Sequence, residues 1–122
     1  MTPPAFKREL IWIGQSKKDL GKLPPVVQEE MNFALLTAQS GDLHEDAFPM
    51  KGFHASSVIE FPVRHATNTY RLIYTIAVPG TVCVLHAFQK KSKRGIATPQ
   101  REINLVRQRL RDAQQLRTSG LI

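Results

Sequence analysis

The residues in this chain that could do chemistry are cations and imidazoles. Arg71 interrupts the apolar run Tyr70-Arg71-Leu72-Ile73-Tyr74, and a second apolar run, Val82 to Phe88, leads into Gln89-Lys90-Lys91-Ser92-Lys93-Arg94. His86 lies four positions before Lys90, and His54, Arg64 and His65 stand in polar stretches upstream. A guanidinium holds a phosphate through parallel N–H donors, and an ammonium acts as a point charge. Such a set suits a phosphodiester. It could stabilise the charge that builds when an RNA 2′-hydroxyl attacks its own phosphate, with a histidine moving protons near neutral pH. Arg71, Lys90, Lys91 and His86 are the candidate catalytic groups; Lys93, Arg94, Arg64, His65 and His54 are candidate RNA contacts. No GxSxG, Walker, HExxH or paired CxxC pattern is present. His44, Glu45, Asp46 and His54 match no tight ligand spacing, so neither a metal nor another cofactor is expected.

Positioning these groups is the task of a hairpin. Tyr70 to Val78 and Val82 to Phe88 are β-branched and aromatic-rich, and Val78-Pro79-Gly80-Thr81 fits a type II turn. Alternation separates Tyr70, Leu72, Tyr74 and Ile76 from Arg71, Ile73 and Thr75. Folding the hairpin returns residue 90 toward residue 70, so Arg71 and Lys90 or Lys91 are expected in one patch. Ser57 to Val63 forms a third strand, with Pro62 marking an edge or a strand end. Upstream, Phe6 to Ile13 is a strand with apolar residues on both faces, which implies a central or covered place. Ser16 caps a short helix, and Pro24-Pro25 opens a longer one stopped at Gly41, with Val27, Met31, Ala34 and Ala38 at helical spacing. Thr98-Pro99 starts a last helix with the stripe Ile103, Val106, Leu110 and Ala113, while Arg101, Arg107, Arg109, Arg111 and Arg117 mostly cover its other sides. The fold class is therefore α+β: an N-terminal strand, two helices, a three-stranded antiparallel meander completing a mixed sheet, and a C-terminal helix. One helix pair covers one sheet face, and Arg71 is expected to look out of the other.

At 122 residues the chain is expected to be a single domain, residues 1–122, with enough length for one core. Residues 1–88 hold eight Lys/Arg and eight Asp/Glu, so the net charge of +7 comes from residues 89–122 alone. A regional excess of this kind implies a polyanion or an acidic protein as partner. The single Cys83 sits among strand residues and reads as a small buried hydrophobe. Apolar runs are too short to span a bilayer and the N-terminus lacks a signal peptide's apolar core, so the expected location is cytoplasmic, away from membranes.

The element order, the strand Tyr70-Arg71-Leu72-Ile73-Tyr74, and Val82 to Lys93 leading into the helix from Pro99 resemble the RelE/ParE toxin superfamily, most of all its HigB-like, phage-derived branch. Met50-Lys51-Gly52 before Ile59-Glu60-Phe61 adds to the likeness. The resemblance implies the toxin of a type II toxin–antitoxin module. RelE-like and HigB-like members cut mRNA in the ribosomal A site without metal, whereas ParE-like members poison DNA gyrase. It also implies an antitoxin, usually a helix-turn-helix protein. The family's strand arginine carries over to Arg71 and the basic residue closing the last strand to Lys91, with Lys90 beside it. Two features depart from the pattern. The strand that often bears lysines offers Val58 and Glu60, and no tyrosine follows the basic residue. A non-catalytic basic binding domain of phage origin is the third reading.

Overall fold

The computed structural model describes residues 7–54, 57–90 and 98–122. The elements run β1 (Glu9–Trp12), α1 (Ser16–Gly21), α2 (Pro25–Gln39), β2 (Phe48–Pro49), β3 (Val58–His65), β4 (Asn68–Thr75), β5 (Thr81–Lys90) and α3 (Gln100–Thr118). They build one five-stranded sheet in the order β1-β5-β4-β3-β2. The meander β3-β4-β5 is antiparallel, and β1 pairs with β5 in parallel, so the sheet is mixed as expected. β1 is an edge strand, yet both its faces are covered. Leu10 and Trp12 pack toward α2, and Ile11 and Ile13 toward α3.

Each face of the sheet has its own core. Val27, Met31, Ala34, Leu35 and Ala38 of α2 lie on Phe61, Val63, Tyr70, Leu72, Tyr74, Val82 and Val84. Val106 and Ala113 of α3 lie on Val58, Ile73, Cys83, Leu85 and Phe88. Helices on both faces replace the expected open face. α3 crosses to the second side because its stripe at positions 103, 106, 110 and 113 needs an apolar bed, which the α2 side has already filled. Among the described residues no helix is long and apolar enough to cross a membrane.

Local chemistry sets the joints. Gly80 takes φ +76°, and Thr81 donates its N–H to Val78 O at 3.2 Å, closing the expected turn. α2 begins after Pro24 and ends with Gly41 at φ +92°, whose N–H reaches Ala38 O. Two joints differ from expectation. α1 is flanked by Gln15, and Ser16 is its buried first residue, with the hydroxyl unpartnered among the described residues. α3 starts one residue after Pro99, and Thr98 makes no cap. The β3–β4 connection is tighter than a polar loop: only Ala66 and Thr67 intervene, both at positive φ (47° and 69°), as in a type I′ turn.

β2 interrupts what reads as one loop from Gly41 to Ala55. It pairs Phe48 with Glu60 and Pro49 with Ile59. β5 carries a bulge. Tyr74 pairs with Val84, but Ile73 pairs with His86, so Leu85 is an extra residue.

Candidate active site

β3, β4 and β5 lay three cross-strand rows on the α3 side of the sheet. The row nearest the β3–β4 turn is Arg64, Thr69 and Lys90; the next is Pro62, Arg71 and Phe88; the third is Glu60, Ile73 and His86. Strand register alone therefore brings three cations and one carboxylate onto adjoining rows. α3 seals the third row, where Ile73 is fully buried, and leaves the first two partly accessible.

Arg71 is the centre of this patch. Its Nη1 lies 2.7 Å from Glu60 Oε2, with side-chain exposures of 15% and 9%. The guanidinium therefore leans along the sheet toward a buried carboxylate, where the sequence reading had it facing open solvent. Isolated buried charge is costly and buried charges pair, which accounts for Glu60 at a position that otherwise asks for an apolar group. Arg71 Nε is buried and has no partner among the described residues, so the fork of donors is not filled by Glu60. Lys90 belongs to the same electrostatic unit. Burial lowers its pKa, the Arg71 charge lowers it further, and Glu60 acts in the opposite sense. A phosphate here would meet a guanidinium, an ammonium that gives up its proton more readily than usual, and a carboxylate paired with the first and felt by the second.

His86 is placed differently from the sequence expectation. It is buried, its ring stacks on Phe88 at 4.6 Å, and Nε2 lies 3.1 Å from Glu102 Oε2 in the first turn of α3. Nδ1 faces Arg109 Nη1 at 3.4 Å, and the same Nη1 donates to Leu85 O at 2.8 Å and to Asp19 Oδ2 at 3.2 Å. Burial favours the uncharged ring, and the arrangement suits a neutral imidazole whose Nε2–H donates to Glu102 while the Nδ1 lone pair faces the Arg109 guanidinium. Burial lowers the His86 pKa and Arg109 adds to this, outweighing the upward pull of Glu102 and Asp19. These four residues clasp α1, β5 and α3 together, and His86 is closed off from substrate.

A family model described as Phage derived protein Gp49-like (DUF891) matches residues 18–111. The chain belongs to this family. Among solved structures, the Gp49-like chain is similar to a mutant of the Escherichia coli toxin RelE in the free state. The two are 18% identical, with 70% of this chain and 85% of that one covered and a TM-score of 0.54. The toxin–antitoxin complex RelBE2 from Mycobacterium tuberculosis is 21% identical over 70% of this chain and 94% of that one, with a TM-score of 0.48. No curated protein matches the chain. The RelE likeness establishes a RelE-like fold for this Gp49-like protein, in agreement with the resemblance read from its strands.

The other candidate residues divide. Arg64 joins Arg71 and Lys90 by register and is exposed. Alternation puts His65 with Val63 on the α2 side. His54 is exposed but precedes β3 at its Val58 end, the far end of the strand from Arg64, and so stands away from the patch. Lys91, Lys93 and Arg94 lie outside the described residues. Glu60, as the partner of Arg71, and Arg109 are the charged residues whose placement sequence reasoning missed. Arg109 is buried, not on the outer side of α3. Its signal was its place three residues after Val106, on the apolar stripe. Gly14, at φ +56°, admits it: a Cβ there would stand 3.1 Å from Arg109 Nε. Cys83 is fully buried, and burial raises its thiol pKa, so it behaves as packing.

Proposed function

We propose that this Gp49-like protein is the toxin of a toxin–antitoxin module and cuts mRNA on the ribosome by a metal-independent route. The observation that carries the reading is the Arg71–Glu60 pair with Lys90 beside it on the accessible end of one sheet face. A scissile phosphate seated against Arg71 and Lys90 brings its ribose within reach of the carboxylate. Glu60 takes the proton of the 2′-hydroxyl as that oxygen attacks phosphorus. Arg71 stabilises the added negative charge, and Lys90 gives its proton to the departing 5′ oxygen. The products are a 2′,3′-cyclic phosphate and a 5′-hydroxyl end, and no step calls on a metal. His86 serves as a positioning residue beneath α3. The cognate antitoxin, a helix-turn-helix protein in this reading, restrains the toxin in the cytoplasm.

The test is cleavage of a defined mRNA on programmed ribosomes, with product ends mapped for the wild type and for Arg71→Ala, Glu60→Gln and Lys90→Ala chains. Cyclic phosphate ends that all three substitutions suppress are expected. Growth arrest without mRNA cleavage, joined to loss of gyrase supercoiling, would transfer the assignment to a gyrase-directed toxin. Equal behaviour of wild-type and Arg71→Ala chains would leave only a non-catalytic binding domain.

A further inference from the structure

α2 is apolar on its outer side as well as its inner one. Val26, Phe33 and Leu36 are 49%, 59% and 52% exposed, although they sit on a helix whose opposite side is fully buried. They lie along one wall of an open groove of about 1540 Å³, with β3 residues Phe61 to Arg64 as the other wall. That is larger than the roughly 300–1,000 Å³ of pockets that enclose small ligands, and it is open rather than closed. The floor is aromatic. Phe33 stands edge-on to His44 at 5.8 Å, and His44 packs on Phe61 at 4.6 Å. Its shape is fixed by the loop, where Asp46 N donates to His44 Nδ1 at 3.0 Å.

The rim has the opposite charge to the rest of the protein. Glu29, Glu30, Glu45 and Asp46 line the groove with Arg64 as the one Lys or Arg among the described residues there, in a chain of net charge +7 that has ten Asp and Glu altogether. The free edge of β3 also constrains what could bind. Met50 N donates to Val58 O, and β2 ends opposite Glu60, so on this side of β3 the outward backbone positions continue at Pro62 and Arg64. Pro62 has no N–H, which blunts the edge against an added strand. A helix needs no such donor.

We propose that this groove docks an amphipathic helix of a partner protein, with apolar residues at i, i+3 or i+4 and i+7 set against Val26, Phe33 and Leu36, and Lys or Arg flanks meeting the acidic rim. The site uses none of Arg71, Glu60 or Lys90 and stands independently of the nuclease reading.

The experiment displays a library of helical peptides of about 20 residues, long enough for roughly 30 Å of helix, against the full chain. Counter-selection uses a Phe33→Asp/Leu36→Asp variant whose fold is verified by circular dichroism. The expected winners carry the stated apolar spacing with Lys/Arg flanks. Their affinity should fall roughly tenfold or more on Glu29→Lys/Glu30→Lys substitution, fall at high salt, and stay unchanged in the Arg71→Ala chain. The proposal is overturned if no winners emerge, if they bind the Phe33→Asp/Leu36→Asp variant equally, or if they are proline-tolerant extended sequences. A concentration-dependent dimer abolished by Phe33→Asp would overturn it in favour of a second copy of this chain.

Discussion

On one sheet face, Arg71 meets Glu60 at 2.7 Å; further along, under α3, Arg109 meets Asp19 at 3.2 Å beside His86 and Glu102. Both are arginine–carboxylate pairs that are mostly removed from water. They differ in how fully their donors are used. Arg109 Nη1 has a backbone carbonyl, a carboxylate and an imidazole around it, while Arg71 retains a buried Nε without a partner among the described residues and a lysine close enough to repel it. A guanidinium nitrogen ringed by acceptors from other elements holds those elements together. An unsaturated pair next to a like charge is arranged to accept an anion. The identity of the residues does not separate these roles; the acceptors gathered round each guanidinium do.

The largest expected effects test that division on activity. Arg71→Ala should lower the rate of mRNA cleavage by about 2–4 kcal/mol in transition-state stabilisation, tens to hundreds-fold, as read by single-turnover kinetics. Glu60→Gln keeps a hydrogen bond to Arg71 but cannot take a proton, and should cost about 10²–10⁴-fold. If Glu60→Gln cleaves like the wild type, the two pairs are alike and both are structural. On stability the ranking reverses. Arg109→Met strands Asp19 and the Leu85 carbonyl, and should cost about 3–5 kcal/mol in denaturant unfolding. Arg71→Ala should cost less, because it leaves one carboxylate without its partner and no backbone carbonyl.

A smaller effect is pH-dependent. The folded His86 pKa lies below the ordinary 6.5, so above that pH the group is neutral in both folded and unfolded chains. As pH falls through 6.5, the unfolded chain takes up a proton that the folded one refuses, and stability drops until the folded pKa is passed. His86→Gln should flatten that part of the curve. An imidazole NMR titration should show His86 still neutral where an exposed histidine is half protonated. A charged His86 at that pH would mean that the clasp is a second titrating site. The smallest expected effect concerns the turn beside the Arg64–Thr69–Lys90 row. Thr67 holds φ +69° against its β-branched preference, and Thr67→Gly should raise stability by about 1 kcal/mol, seen as a higher Tm.

Much of the frame could be read from residue order. The strands of the meander, the Pro79-Gly80 turn and the Pro24–Gly41 limits of α2 follow from periodicity and backbone restriction. Pairing then put Lys90 opposite Thr69, two positions from Arg71. β2 was not legible because two residues, one of them proline, give no alternation to detect. Glu60 was noticed only as a departure from a pattern. Its contact with Arg71 depends on the two-residue turn at Ala66-Thr67, which sets Pro62 opposite Arg71 and leaves Glu60 on the diagonal. His86 and Arg109 were misplaced for one reason: a titratable side chain at an apolar position was credited to solvent, while the partners that permit burial lie on α1 and α3, far away in sequence.

The extra residue at Leu85 has an effect out of proportion to its size. Before it, even-numbered side chains of β5 turn toward α2; beyond it, they turn toward α3. Were Leu85 instead drawn into the ladder opposite Ile73, every later side chain would change sides and the ammonium now at position 90 would emerge on the wrong face of the sheet, its duty falling to whichever neighbour had inherited the opposite parity. The chemistry of this surface is thus set by a counting error built into the strand, and a one-codon deletion of Leu85, which takes the surplus residue out, should leave Lys90 facing as it does now.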